Sequence, residues 1–214
     1  MIVDRYTSSG LRNNPFAATD PGSAGNSCFV DRGLSTPPPR SSLTLVQVIG
    51  DKGAGKSTQV HEWRRTAPGP YHYVAARPYR DRWARPPVEP LVYADEIDRM
   101  PVPLRQRWFR QLAAAKSTVV AGTHVDLGLS ARRAGLAVIT HHIGPADLAI
   151  IRQVLIAKIK QASLESRVTF ALAEFEIEDI HRRCGGSLRA AEVLAHELVA
   201  MRVHHASQPT RFHR

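Results

Sequence analysis

The sequence predicts an α/β protein in which a parallel sheet is flanked by helices and followed by a small all-helical region. Three observations lead to this prediction. A glycine-rich loop at residues 50–57 stands between an apolar, β-branched run and a run without helix breakers. Strand-like and helix-like runs then alternate up to residue 143, as in parallel strands joined by right-handed crossovers. From residue 144 onwards the pattern is helical only.

The composition indicates a globular protein. The 214 residues suffice for one α/β core with a small appendage, and 43% of them are apolar. No apolar run approaches the length of about 18 residues that spans a membrane, and residues 1–6 lack the apolar core of a secretion signal. Cys28 and Cys184 have no metal-ligand spacing, so we expect reduced thiols in a cytoplasmic protein.

The charge is strongly positive. A formal net charge of +10 and an isoelectric point near 10.3 come mainly from arginine. Such a charge favours a polyanionic partner such as DNA, because phosphate neutralisation supplies most sequence-independent affinity for nucleic acids. A basic surface that reflects general arginine usage, without any nucleic acid, explains the same numbers. The charge alone leaves both interpretations open.

The organisation of the chain follows from shifts in composition. Residues 1–42 are rich in Gly, Pro, Ser and Asn, contain the run Pro37–Pro38–Pro39, and predict an extended N-terminal arm. Residues 43–143 form the predicted core and residues 144–201 a helical lid. Residues 202–214 form a basic, His-rich tail.

The loop at residues 50–57 fits the phosphate-binding pattern GxxxxGKS in the required order of strand, loop and helix. Glycines let successive backbone N–H groups turn towards a phosphate chain, and the following helix adds the positive end of its dipole. Lys56 is expected to reach the β- and γ-phosphates, and Ser57 to ligate Mg²⁺. The residues predicted to bind the nucleotide are Gly50, Asp51, Lys52, Gly53, Ala54, Gly55, Lys56, Ser57 and Thr58.

A second motif is the apolar run at residues 91–94 that ends in Asp95 and Glu96. Ligands of open α/β sheets bind at the carboxyl ends of strands, where this run delivers its two acids. We assign Asp95 to the magnesium ion and Glu96 to the activation of the attacking water.

Further runs complete the predicted elements. Strands are expected at residues 71–75, 118–124 and 136–140, and helices at 104–112, 148–159, 174–183 and 187–201. The loop at residues 77–87 alternates arginines with aromatic residues, which suits phosphates and stacked bases but also an ordinary solvated loop. On the helix at residues 104–112, Arg105, Arg107 and Arg110 are predicted to be exposed.

Taken in order, the loop at 50–57, the Asp95–Glu96 strand end, the polar strand end at Thr123–His124 and the run Gly185–Gly186–Ser187–Leu188–Arg189 resemble an AAA+ ATPase of the additional-strand P-loop class. The resemblance covers residues 43 to about 201. It is strongest to small bacterial members with a compact core and a short lid, which act as nucleotide-dependent switches or adaptors, some of them on DNA. It implies ATP and Mg²⁺ as cofactors and assembly into a homo-oligomer.

The resemblance also implies roles for residues outside the two motifs. Thr123 stands where the family has the first sensor of the γ-phosphate, with His124 as the alternative. Arg189 stands at the second sensor. Arg132 or Arg133 stands where the family places an arginine finger that completes the site of a neighbouring subunit.

Three functions are compatible with these residues. The first is an ATPase that hydrolyses ATP to drive a conformational or assembly switch. The second is a P-loop kinase with a small acceptor, in which Arg77, Arg80, Arg82 and Arg85 would clamp the substrate; the adjacent Asp95 and Glu96, which suit water activation, argue against it. The third is a nucleotide-gated adaptor on DNA or RNA, supported by the charge, the arginines of residues 104–112 and the basic tail.

Overall fold

The computed structural model describes residues 6–17, 28–34, 40–164 and 170–206. The chain divides into two compact units. A sheet unit comprises Asp31–Gly144, and a helical unit combines Met1–Val30 with Pro145–Arg214.

The sheet unit is built on five parallel strands. They are β1 (Thr44–Gly50), β2 (Tyr71–Tyr73), β3 (Leu91–Asp95), β4 (Thr118–Thr123) and β5 (Ala137–Ile143). Their order across the sheet is β2-β3-β4-β1-β5, and every neighbouring pair is parallel. The predicted α/β fold with a parallel sheet is therefore confirmed. The strand that precedes the glycine-rich loop lies between β4 and β5.

Helices cover both faces of this sheet, as a parallel sheet requires. They are α1 (Lys56–Thr66), α2 (Val102–Ala114) and the short α3 (Gly128–Arg133). Val60 and Trp63 of α1 pack in one apolar cluster with side chains of β1, β3 and β4. Trp108 and Leu112 of α2 pack in a second cluster on the same strands. Short 3-10 turns at Tyr79–Trp83 and Ile97–Arg99 complete the unit.

One prediction about α2 is wrong. Arg105 was expected to be exposed together with Arg107 and Arg110, but its side chain is only 9% exposed. Its Nη1 donates to the backbone carbonyls of the preceding turn, at 3.4 Å from Ile97, 3.2 Å from Asp98 and 3.3 Å from Met100. The carbonyl of Ile97 also accepts from the backbone N–H of Met100 at 3.1 Å, and the long side chain of Arg105 adds a donor to all three carbonyls. Burial lowers the pKa of Arg105. Arg107 and Arg110 are exposed as predicted.

The helical unit contains α4 (Leu148–Ala162), α5 (Glu174–Cys184) and α6 (Leu188–Ala206). Asp147 caps α4, where its carboxylate accepts a hydrogen bond of 2.8 Å from the backbone N–H of Ile150. Gly185 ends α5 with a φ of 58°, a conformation that favours glycine. On α6, Leu188, Leu194 and Leu198 are partly buried and pack against the apolar cluster of this unit. The fully buried positions are Ala191, Ala195, Val199 and Val203.

Part of the predicted N-terminal arm belongs to the helical unit. Leu11 and Phe16 are buried in its apolar cluster, and the Nδ2 of Asn14 donates to the carbonyl of His196 at 3.1 Å. Within the predicted arm, Met1–Val30 belongs to the helical unit, whereas the residues from Asp31 onwards belong to the sheet unit. Predictions for Pro37–Pro38–Pro39 and for residues 207–214 lie outside the described residues.

At the other end, α6 continues to Ala206 rather than ending at the predicted residue 201. Among the described residues, none of the helices combines the length and the apolar character needed to span a bilayer. The cytoplasmic location stays a prediction.

Candidate nucleotide site

The two sequence motifs meet at the carboxyl edge of the sheet. Strand register sets Ile49 of β1 beside Thr123 of β4, and Gly122 beside Asp95 of β3. Because these three strands are parallel neighbours, the residues that follow them share one edge. The loop after β1, the two acids at the end of β3 and the His124 that follows β4 are therefore brought together.

The glycine-rich loop ends in an open helix terminus. Gly55 has a φ of 100° and precedes the first residue of α1, a conformation that side chains with a Cβ rarely adopt. Among the described residues, no side chain caps this terminus, and the first turn of α1 contains no acid. The first N–H groups of a helix lack partners within it, and the helix dipole favours negative charge there. The terminus therefore suits an anion such as phosphate.

Lys56 is buried beneath this loop, with only 5% of the residue exposed. Its Nζ donates to the carbonyl oxygens of Gly50 at 2.8 Å and of Asp51 at 3.0 Å, and it lies 3.4 Å from Nδ1 of His124. Burial lowers the pKa of Lys56, while nearby carboxylates, Glu96 first and then Asp95, oppose that shift. The ammonium group of Lys56 is thus hydrogen-bonded to the same loop in which it is expected to bind phosphate.

Ser57 and Asp95 contact each other directly. The Oγ of Ser57 donates to Oδ2 of Asp95 at 2.5 Å, and Asp95 is 1% exposed. Oδ1 of Asp95 lies against Gly122, where any Cβ would collide with it. The glycine at this point of β4 therefore makes room for the carboxylate.

The pair fits a magnesium site. A hydroxyl and a carboxylate oxygen are the hard donors that Mg²⁺ prefers, and this ion usually completes its shell with water and phosphate oxygens. Within the described ranges, no group of three His, Cys, Asp or Glu residues is arranged to hold a metal ion. A magnesium ion at Ser57 and Asp95 would therefore take its other ligands from the nucleotide and from water.

Glu96 is held in place on two sides. Its Oε2 lies 3.0 Å from Nη2 of Arg99 and 3.1 Å from Nε2 of His124. Its backbone has a φ of 58°, which is uncommon for a residue with a side chain and occurs preferentially at functional sites. Arg99 also donates from Nη1 to the hydroxyl of Tyr73 at 3.2 Å. Sequence analysis missed Arg99, although a cation three residues after an acid at a turn is a usable signal.

The two candidates for the first sensor make different contacts. The hydroxyl of Thr123 donates to the carbonyl of Val125 at 3.0 Å, and Thr123 is fully buried. The ring of His124 instead lies between Nζ of Lys56 and the carboxylate of Glu96. We name the five side chains at this edge the P-loop cluster: Lys56, Ser57, Asp95, Glu96 and His124.

The remaining candidates lie outside this cluster. Arg132 and Arg133 are exposed at the end of α3, and neither has a hydrogen bond or ion pair to the cluster among the described contacts. Arg189 is the second residue of α6 and is exposed in the helical unit. The finger and second-sensor roles of these arginines stay predictions.

Arg32 is a further contact of the loop that sequence analysis missed. Its Nη1 donates to the carbonyl of Ala54 in the glycine-rich loop at 2.9 Å, and its Nη2 to that of Gly144 at 3.0 Å. Two residues on, the carbonyl of Leu34 accepts hydrogen bonds from Gln59 and Trp63 of α1. The N-terminal segment thus braces the loop and its helix, and no motif in residues 31–34 indicates this.

Comparison with known proteins finds similarity in structure. No protein-family model and no curated protein matches the chain. The Holliday junction branch migration motor RuvB of Thermotoga maritima aligns with a TM-score of 0.53 at 18% identity, over 76% of this chain and 56% of RuvB. Domain III of the replication initiation protein DnaA of Thermotoga maritima aligns with a TM-score of 0.53 at 11% identity, over 77% of this chain and 79% of the domain.

A third structure, the replication initiator DnaA bound to AMPPCP and single-stranded DNA, aligns with a TM-score of 0.50 at 12% identity, over 78% of this chain and 58% of that one. The chain thus spans little more than half the length of the RuvB structures that it matches. At these identities the similarity establishes the fold. With its five-stranded parallel sheet and its C-terminal helices, the chain has the fold of an AAA+ P-loop ATPase.

Proposed function

We propose that this protein is an ATPase that binds ATP with Mg²⁺ and hydrolyses it to drive a conformational or assembly switch. The observation that carries the proposal is the hydrogen bond of 2.5 Å between Ser57 and Asp95. It joins the helix after the glycine-rich loop to the end of β3. Two oxygen donors of the kind that magnesium prefers thereby lie beside a buried lysine and a second acid.

In this proposal the loop binds the phosphate chain. The N–H groups at the start of α1 donate to phosphate oxygens. The Nζ of Lys56, which donates to the carbonyls of Gly50 and Asp51 in the structure, donates instead to the β- and γ-phosphates when the nucleotide binds. Residues 50–58 supply this binding surface. Ser57 and Asp95 would hold Mg²⁺, which would supply neutralisation of charge on the phosphate oxygens.

Glu96 acts on the attacking water. Its carboxylate accepts a hydrogen bond from water and orients it, while Arg99 and His124 fix the position of the carboxylate. His124 is the better candidate for the first sensor, because it contacts both the lysine and the acid. In an assembled homo-oligomer, Arg132 or Arg133 supplies charge to a neighbouring site, and Arg189 acts as the second sensor.

The comparisons support this proposal at the level of fold. One of the structures is a DnaA bound to the nucleotide analogue AMPPCP and to single-stranded DNA, and another is named as a branch migration motor of Holliday junctions. Together with the net charge of +10, these names favour DNA as a partner of the present chain.

The experiment that tests the function is phosphate release from ATP with Mg²⁺, measured against protein concentration, with and without DNA. Wild-type protein should release phosphate, and the rate per subunit should rise with concentration if an arginine acts between subunits. Glu96→Gln should bind ATP but lose turnover. Normal turnover in Glu96→Gln would contradict the assignment, and phosphate transfer to a small acceptor in place of water would indicate a kinase.

A further inference from the structure

The segment from Tyr73 to Val88 exposes aromatic rings at one edge of the sheet unit. Tyr73 ends β2, an edge strand, while Tyr79 and Trp83 begin and end the 3-10 turn that follows it. These three residues are 52%, 65% and 61% exposed, whereas Trp63 and Trp108 are each 1% exposed. Large rings are normally buried, and several exposed together mark a binding surface. We call residues 73–88 the arginine–aromatic segment.

Cations accompany these rings. Residues 76–88 contain four arginines and a single acid, Asp81, which is paired with Arg80 at 3.6 Å. The guanidinium of Arg82 lies 4.2 Å from the centre of the Tyr79 ring, and its Nη2 donates to the carbonyl of Ala76 at 2.7 Å. Arg77, Arg80 and Arg85 are exposed. The segment therefore combines exposed aromatic rings with exposed positive charge within residues 73–88.

The start of the segment adjoins the P-loop cluster, since the backbone N–H of Val74 donates to the carbonyl of Asp95 at 3.0 Å. Its arginines make no such contact within the part of the chain that the structure describes. Among the described contacts, none of its four arginines has a hydrogen bond or ion pair to Lys56, Asp95 or Glu96. A role for these arginines in clamping the phosphates of ATP, or of a kinase substrate, therefore has no support from the contacts. Their exposure leaves them for a partner outside the chain.

We propose that the arginine–aromatic segment binds single-stranded nucleic acid. Every base has a face that stacks on an exposed ring, and arginines beside the rings neutralise the phosphates that link the bases. A duplex fits the segment less well, since its bases are already stacked on each other. This inference deepens the partner part of the proposed function, but it requires no ATP hydrolysis.

The test uses Trp83 as its own reporter. It is the only exposed one of the three tryptophans, all of which lie in described residues, so stacking of bases on it should quench intrinsic fluorescence. Full-length protein is titrated with unlabelled dT20 and U20 and with a 20-base-pair duplex; anisotropy of labelled strands gives the affinity independently. We expect both single strands to bind with quenching, and the duplex to bind at least about threefold more weakly without quenching.

Variants identify the contribution of the rings and of the arginines. Trp83→Ala should weaken binding of dT20 by about tenfold, and Trp83→Phe should restore most of it, because base–aromatic stacking tolerates any ring. Arg80→Ala with Arg85→Ala should lower affinity and flatten its dependence on salt. Arg107→Ala with Arg110→Ala removes the same charge from exposed positions of α2 and serves as the matched control. Circular dichroism checks that each variant is folded.

Three results would overturn the proposal. One is unchanged dT20 affinity in Trp83→Ala. Another is equal loss of affinity in the two double-arginine variants, which would indicate nonspecific attraction. The third is a Trp83 signal that changes with protein concentration alone, which would make the surface a contact between copies. Lys56→Ala should still bind dT20, so failure of this proposal and failure of the ATPase proposal are distinguishable.

Discussion

The P-loop cluster and the arginine–aromatic segment both belong to the sheet unit, and they hold their polar groups in opposite ways. In the cluster, Lys56 and Asp95 are almost fully buried, and each is hydrogen-bonded to another protein group. In the segment, Arg80 and Trp83 are mostly exposed. Buried charge is costly unless it is paired, so the cluster depends on geometry that the fold must provide. The function of the exposed segment depends instead on its contacts with a partner molecule.

Because of this contrast, we expect ATP hydrolysis to be sensitive to small changes in the side chains of the P-loop cluster. The largest effect is expected for Asp95→Asn, which keeps the shape of the side chain but removes its charge. Turnover should fall by at least about 100-fold, because the site would lose the anionic oxygen that is proposed to hold Mg²⁺ beside Ser57.

Phosphate release at saturating ATP and increasing Mg²⁺ measures this effect. Tyr71→Phe is the matched control, since the hydroxyl of Tyr71 donates to the same carboxylate only at 3.4 Å. Its turnover should stay within about threefold of wild type. Turnover of Asp95→Asn within tenfold of wild type would mean that the carboxylate does not hold the metal.

A second prediction separates two neighbouring residues of the same strand end. His124→Ala should lower turnover by roughly tenfold to 100-fold, because it removes the group between Lys56 and Glu96. Thr123→Val should change turnover less than threefold, because the hydroxyl of Thr123 bonds to the backbone at Val125. Steady-state kinetics of the two variants decides between them. A larger loss in Thr123→Val would assign the sensor to Thr123.

A third prediction compares a buried with an exposed arginine on α2. Arg105→Met should destabilise the fold by about 1–2 kcal/mol, because the carbonyls of Ile97, Asp98 and Met100 lose a donor. Arg107→Met should change stability by less than about 0.5 kcal/mol, as exposed substitutions do. Urea unfolding of both variants measures the difference. Equal stability of the two proteins would show that the contacts of Arg105 contribute nothing.

The smallest effect is expected in the exposed segment. Trp83→Ala should leave ATP hydrolysis without nucleic acid within about twofold of wild type, since Trp83 is 61% exposed and lies outside the P-loop cluster. Phosphate release under the conditions used for Asp95→Asn provides the measurement. A loss comparable to that of His124→Ala would remove the distinction between the two regions.

The sheet and the two motifs could be predicted because local sequence specifies them. Apolar runs bounded by breakers indicate strands, and the spacing of glycines with Lys56 and Ser57 carries its own chemistry. Ser57 and Asp95 were both assigned to one magnesium ion, and they do contact each other. The order of the strands was implied by the resemblance alone, because periodicity does not show which strands are neighbours.

What could not be predicted depends on contacts between distant residues. The spacing of residues along α2 predicted an exposed Arg105, and only the position of the preceding turn explains its burial. Periodicity also does not show which of Thr123 and His124 lies beside Lys56. The hydroxyl of Thr123 is hydrogen-bonded to the backbone carbonyl of Val125. Arg32 reaches the glycine-rich loop from a segment that carries no motif of its own.

The most direct test of the account is thermal unfolding with and without Mg²⁺ and ATP, in wild type and in Lys56→Ala. A ligand that binds only the folded state stabilises it by about 2.7 kcal/mol at a concentration of 100 times Kd. Wild-type protein should therefore show a Tm that rises with nucleotide concentration, and Lys56→Ala should show no rise. An equal rise in both proteins, or none in wild type, would contradict a nucleotide site at the P-loop cluster.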